Sequence, residues 1–311
     1  MYNRELKELF IPFYTKQRLN VKEQAMQSLF EKVQTFEEAA QKDCSEFTEV
    51  EILSMYKEFE SISPVSLLQQ NTILSAYTLF VIHQTGRHMQ NAYEPLTVGD
   101  LKQCVSATEL ITRRQLSDLE DQLLNDVDKA ILECLWEGFS GKVKLCDLVS
   151  LEDSMINHKT KEIQINGVTR QLTDRLYHLL NRAFKENLYQ CFPNANNGEI
   201  MVIELADDPG KLYKLRWNAD KGKQSARTRY EWVFRKIESI REFYGIPHFT
   251  IKNLQDSGFV YYLKIGMLEN GVTSLYAFLN TPAGEQIARK YGYTSKSYAS
   301  NCLDRFAKYF K

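Results

Sequence analysis

A surplus of charge of either sign is missing from this sequence. Its 39 lysines and arginines face 40 aspartates and glutamates, a formal net charge of -1. A globally basic polypeptide is excluded, so any affinity for nucleic acid must come from a local excess of cations. Long apolar runs are scarce too: a stretch such as Ile73 to Ile82 is far short of the roughly 20 residues that cross a bilayer, and no membrane span is expected. The opening MYNRELKELFIPFYTKQR mixes both charge signs with its apolar positions and has no continuous apolar segment. It does not read as a secretory signal, which places the chain inside the cell, in the cytoplasm. The cysteines Cys44, Cys104, Cys134, Cys146, Cys191 and Cys302 have no CxxC spacing and no histidines pair at ligand distance, against both a zinc site and a disulfide framework. Nothing resembling GxSxG, GxxxxGK[ST] or GxGxxG occurs, so common hydrolase and nucleotide-binding signatures are absent. No metal and no cofactor are expected.

What is present is an ordinary globular composition, 43% hydrophobic and 25% charged over 311 residues, enough for two domains with cores. From Tyr2 to about Cys104 apolar residues recur at helical spacing. Thr48 and Ser63-Pro64 open two helices, Gly86 closes one, and a short helix is capped around Thr97. We expect a helical domain over 1–105, a polar linker over 106–110, and a second domain over 111–311. In the latter, TRRQLSDLEDQLLNDVDKAILECLWEGF gives two helical stretches, and SMINHKTKEIQINGVTRQLT alternates on both sides of Asn166-Gly167, a strong hairpin signal. A helix behind Thr173 is expected to run through Tyr189, a second strand pair to span Gly198 to Asn218 about Asp207-Asp208-Pro209-Gly210, and a long helix to end at Gly245. Further helices fill the remainder. The fold class is mainly α with a small antiparallel sheet.

Charge is most uneven between Lys211 and Arg241, which holds Lys211, Lys214, Arg216, Lys221, Lys223, Arg227, Arg229, Arg235, Lys236 and Arg241 against only Asp220, Glu231 and Glu238. Such a patch suits a phosphate backbone, with a solvated strand-turn-helix face as the competing reading. A second basic spot is the turn in WEGFSGKVKLCDLVSLED, where Lys142 and Lys144 stand beside Gly141.

The order of these elements, from about residue 45 onward, resembles the core-binding (SAM-like) and catalytic domains of tyrosine recombinases, the phage integrases. The family's first box, Gly-Leu-Arg-x-Ser-Glu-Leu, falls on FSGKVKLCDL, with Gly141 in place of the arginine and Lys144 in place of the glutamate. Its hairpin lysine finds only Arg170 nearby. Its second box, His-x-Leu-Arg-His, falls on KNLQD, so that Lys252 replaces the histidine and Gln255 the arginine. The later Gly-His pair matches Gly292-Tyr293, and the nucleophile position falls on Cys302, with Tyr298 the nearest tyrosine upstream. The degenerate positions are thus Gly141, Lys252, Gln255, Tyr293 and Cys302.

Cleavage needs a tyrosine oxygen, two guanidinium groups and a general acid. The resemblance therefore implies a scaffold that no longer cuts, like lysogeny repressors of SPβ-type Bacillus phages, which silence lytic genes by occupying double-stranded operators. The DNA contacts expected are Gln69, Gln70 and Asn71 on base edges, Arg87, Arg113 and Arg114, Lys142 and Lys144, Arg170, the cations Lys211, Arg216, Lys221, Lys223, Arg227 and Arg229, and Lys252 with Gln255. Further partners allowed by this reading are a regulatory protein, or a second copy through the C-terminal tail. The alternative is an active recombinase with a displaced nucleophile, Tyr298 or Tyr309. A third is a non-DNA protein whose helices bind a peptide.

Overall fold

The computed structural model describes residues 2–18, 21–105, 109–139, 145–165, 167–192, 200–205, 210–214 and 226–306, the side chains of 226–229 excepted. The chain divides into two compact units. One comprises 1–108, 114–124 and 243–246, the other 109–113, 125–242 and 247–311.

In the first unit, α1 (Arg4–Gln17), α2 (Glu23–Ala40), α3 (Glu49–Glu58), α4 (Pro64–Thr85) and α5 (Val98–Lys102) follow the apolar spacing. Their ends are written in short polar side chains. Thr48 accepts from the Glu51 N–H while the Glu51 carboxylate accepts from Thr48, Ser63 caps α4 ahead of Pro64, and Thr97 pairs with Asp100 at the start of α5; each satisfies donors that a helix start leaves open. Gly86 ends α4 at φ +64°, a conformation that side chains with a Cβ resist. By length and composition α4 is apolar enough to cross a membrane, and longer than the apolar stretch read in the sequence. Its Leu67, Leu74, Tyr77 and Val81 are nonetheless packed in this unit's core with Phe10, Phe30 and Met55.

Three charges are buried in that core. The Lys7 ammonium forms ion pairs with Glu37 and, at 3.4 Å, with Asp43. It also donates to the Tyr2 carbonyl at 2.9 Å and lies over the rings of Phe30 and Tyr77. Asp43 accepts from Tyr77 at 3.2 Å and Glu37 from the Cys44 N–H at 3.0 Å. Glu37, Asp43 and Cys44 could by proximity hold a metal ion, but the lysine already supplies the cation. Of α6 (Arg113–Gln122), Leu116 and Leu119 are buried.

The second unit is built around α7 (Asp126–Trp136). After α8 (Cys146–Val149), the strands β1 (Ile156–Asn157), β2 (Glu162–Ile165) and β3 (Val168–Gln171) form an antiparallel sheet in that order. Ile165 pairs with Val168 around the expected turn; of its two residues Gly167 has φ +77° and Asn166 lies outside the described residues.

Thr173 caps α9 (Asp174–Ala183), which stops six residues earlier than expected. Lys214 is the reason: its buried ammonium donates to the carbonyls of Ala183, Phe184 and Glu186 at 3.2, 2.7 and 2.5 Å, tying off the open helix end. The next residues form β4 (Leu188–Gln190), which pairs with β5 (Val202–Glu204). That differs from the expected hairpin between Gly198 and Asn218: β5 pairs with an earlier strand, Lys211 bridges Glu152, and 215–218 lie outside the described residues. Residues 206–209, the expected turn, lie outside the described residues.

The helices α10 (Ala226–Tyr244), α11 (Ile251–Glu269), α12 (Leu275–Leu279), α13 (Pro282–Lys290) and α14 (Lys296–Phe306) follow. Phe259, Leu263, Phe278, Leu279, Ala299, Leu303 and Phe306 pack into one cluster, so α14 rests on its own unit. Against α7, α11 presents Gly258, where an added Cβ would overlap the Trp136 carbonyl oxygen. That close approach sets the depth at which the residues before Gly258 lie.

Candidate nucleic-acid interface and a degenerate cleavage pocket

The first turns of α11, the residues after α13, and α14 bring three of the predicted positions together. Lys252 lies one turn before Asp256 on α11. Its Nζ donates to Asp256 Oδ1 at 2.5 Å and to the Tyr293 hydroxyl at 3.2 Å. Tyr293 donates to the same Oδ1 at 2.5 Å and packs against the cluster that holds Cys302. On the other side of the carboxylate, Arg305 Nη2 lies 3.1 Å from Asp256 Oδ2 and donates to Asn253 Oδ1 at 2.6 Å. Asn253 is itself anchored, donating through Nδ2 to the Glu109 carbonyl. Lys252, Tyr293 and Cys302 thus converge as the recombinase spacing predicts, while Gln255 keeps a buried Nε2 with no hydrogen-bond partner among the described residues.

The centre of this pocket is a residue that sequence reasoning passed over. Asp256 stands where the family's second box ends in histidine, and its side chain is only 3% exposed, so a full negative charge lies where cleavage would need positive charge. The signal available was the spacing of four between Lys252 and Asp256, a helical ion-pair interval. Nothing in the sequence pointed to Arg305. Burial, and then the charge of Asp256, push the Cys302 thiol up to about 11, so at neutral pH it is protonated and a poor nucleophile. Burial likewise raises the Tyr293 phenol. Tyr298, in the first turn of α14, has 67% of its surface exposed. Gly141, Lys142, Lys144 and Tyr309 lie outside the described residues.

Arg170, on β3, is half-buried. It donates to the Gly138 carbonyl at 3.1 Å, stacks over Phe139 and lies 3.9 Å from Asp147. It is therefore held against Gly138 and Phe139, at the C-terminal end of α7. Glu137 beneath it accepts from Thr173 at 2.5 Å and lies 3.5 Å from Lys290; burial outweighs that cation and pushes its carboxyl up.

The remaining predicted contacts are divided by their partners. Asn71 is a correction: it is buried, its Oδ1 accepts from Tyr56 and its Nδ2 donates to the Tyr93 carbonyl, so its amide serves the core and has no edge left for a base. Gln69 and Gln70 are half-buried on the same helix. Arg87 is exposed and paired with Glu46 at 2.9 Å. Arg113 is paired with buried Glu133 at 2.7 Å, whereas Arg114 is exposed. Lys252 has 64% of its side chain exposed and pairs with Asp256 and Tyr293.

In the basic stretch, Lys214 is the helix cap already described and Lys236 pairs with buried Asp128 at 2.7 Å. Lys211 is half-buried and Arg235 exposed. Arg216, Lys221 and Lys223 lie outside the described residues, as do the side chains of Arg227 and Arg229.

A helical unit, a second unit with a small hairpin sheet, and a pocket assembled from α11, the Gly292-Tyr293 turn and α14 define a tyrosine-recombinase-like protein. Family models for the MrpR C-terminal catalytic domain and the MrpR N-terminal core-binding domain match residues 110–308 and 1–83, and the chain belongs to the MrpR family. It is 25% identical over 294 residues, covering 88% of this chain and 86% of the relative, to the SPbeta prophage-derived protein YopR of Bacillus subtilis (strain 168).

Proposed function

We propose that this protein is a sequence-specific double-stranded DNA-binding repressor that maintains phage lysogeny from the host cytoplasm, on a recombinase scaffold that does not cleave. The observation that carries the reading is Asp256: its carboxylate takes up both Lys252 and Arg305, and these are the cations that act on Cys302. A phosphorane would meet a negative charge and a protonated thiol there. Loss of one preorganised donor commonly slows such chemistry about a hundredfold to a thousandfold, and here several are missing together.

Duplex binding has no need of that set, since backbone contacts come from lysines, arginines and main-chain amides. In this reading Arg114, Lys142, Lys144, Arg170 and the cations Lys211, Arg216, Lys221, Lys223, Arg227 and Arg229 serve phosphates, with Gln69 and Gln70 toward bases. The prophage origin of the relative supports a phage setting.

Selection of bound fragments from host and prophage DNA tests the proposal. One duplex family should be enriched, and its affinity should fall steeply with salt, by about 0.9 in log K per log salt for each phosphate neutralised. Uniformly weak binding without salt dependence would contradict it. The exposed hydroxyl-bearing ring of Tyr298 favours one other reading, a recombinase with a displaced nucleophile, which predicts a covalent adduct.

A further inference from the structure

We propose that Asp256 is an internal stand-in for phosphate: its carboxylate occupies the anion position of the former cleavage pocket and keeps the DNA backbone out of it. The inference rests on the recombinase-derived reading of that pocket and names the residue that sets what the pocket accepts.

The donor set argues for it. An ammonium, a guanidinium and a phenolic hydroxyl reach one carboxylate from three elements: Lys252 and Tyr293 on Oδ1, each at 2.5 Å, and Arg305 on Oδ2 at 3.1 Å. Charged donors converging in this way are what binds a phosphate oxygen pair. The pair with Lys252, whose own side chain is 64% exposed, does not by itself account for the burial, because a pair open to water on one side contributes little, whereas taking a carboxylate out of water is costly unless all its lone pairs are served.

Two of the three donors, Arg305 and Tyr293, are also held independently of Asp256. Arg305 is fixed by Asn253, and Asn253 by the Glu109 carbonyl. Tyr293 packs against Phe259 with ring centroids 4.6 Å apart. Removing the carboxylate should therefore leave a preformed anion site rather than a collapsed one.

The test uses the full chain, inorganic phosphate as the probe, and chloride at matched ionic strength as the reference. Asp256→Ala vacates the position; Asp256→Asn keeps its volume and removes its charge. Thermal unfolding should give Asp256→Ala a saturable phosphate stabilisation corresponding to binding at least tenfold tighter than the wild type, because a ligand of the folded state raises the unfolding temperature with its concentration. Adding Lys252→Met to Asp256→Ala should abolish the gain. If Asp256→Ala is unfolded without ligand, phosphate but not chloride should restore its structure. Should phosphate stabilise neither variant more than the wild type, whether they start folded or unfolded, the proposal is overturned. The phosphate measurement needs no DNA, so failure of the repressor reading, seen as no duplex retained by the wild type, is distinguishable from failure of this one.

Discussion

Lys7→Met should destabilise the first unit by about 3–5 kcal/mol, the usual result of removing one partner from a buried ion pair. Methionine fills much the same volume against Phe30 and Tyr77, so lost packing is minor. What changes is electrostatic: Glu37 and Asp43, at 0% and 2% exposure, lose the cation between them. The effect should concentrate in α1, α2 and α4, because Glu37 lies on α2 while Asp43 is held by Tyr77 of α4. Hydrogen exchange during urea titration of the full chain would resolve these amides from those of the second unit. The triple variant Lys7→Met/Glu37→Gln/Asp43→Asn should recover most of the loss, since it removes the stranded charges. A loss below about 1 kcal/mol in Lys7→Met, the range of an exposed pair, would mean that water reaches the triad.

Gly258→Ala should be at least as damaging to the second unit. Overpacking by a methyl commonly costs about 1–3 kcal/mol, but here the obstacle is backbone. The new Cβ would overlap the Trp136 carbonyl oxygen, come within 2.8 Å of its carbon and 3.0 Å of the Tyr291 hydroxyl, which itself donates to that carbonyl. Neither helix can yield without the other, so α7 and α11 must separate, and a loss of roughly 3 kcal/mol or more is expected. Asp256 lies two residues away, so the pocket should be disturbed as well. Gly271→Ala is the control: Gly271 has φ +64° with no atom within 4 Å of an added Cβ, and backbone strain alone should cost about 1–2 kcal/mol. Thermal unfolding of both variants ranks them; equal losses would remove the close approach as an explanation.

Local signals in the sequence were enough for most helices and for the Asn166-Gly167 hairpin. Thr48, Ser63, Thr97 and Thr173 act on donors within three residues of themselves, so their effect can be read without the fold. The strand β4, and its pairing with β5, could not be read that way. Each strand has three residues, too few for a period to register, and each exists through pairing across the masking influence of a neighbouring helix pattern. Charged side chains misled for a related reason. Lys7, Lys214 and Lys236 look like solvated positions on amphipathic or basic segments, yet each ammonium is buried against acceptors supplied from elsewhere in its unit. Asn71 read as a contact to base edges and proved to be a core amide.

The pocket was legible as far as the recombinase boxes carried, which brought Lys252, Tyr293 and Cys302 to one place. The boxes were read for charges they had lost, and the charge gained at Asp256 escaped notice. Its consequence depends on Arg305 and Tyr293, residues 49 and 37 positions away, whose approach only the fold creates.

On the proposed reading, the Asp256 pocket lacks the electrostatic means to cut a bound duplex. The direct measurement is incubation of the purified chain with a nicked suicide form of its selected duplex, followed by a denaturing gel. The account predicts specific retention of the duplex on a native gel and no covalent protein-DNA band or new strand break on the denaturing one. An adduct that disappears in Tyr298→Phe or Cys302→Ser would contradict it.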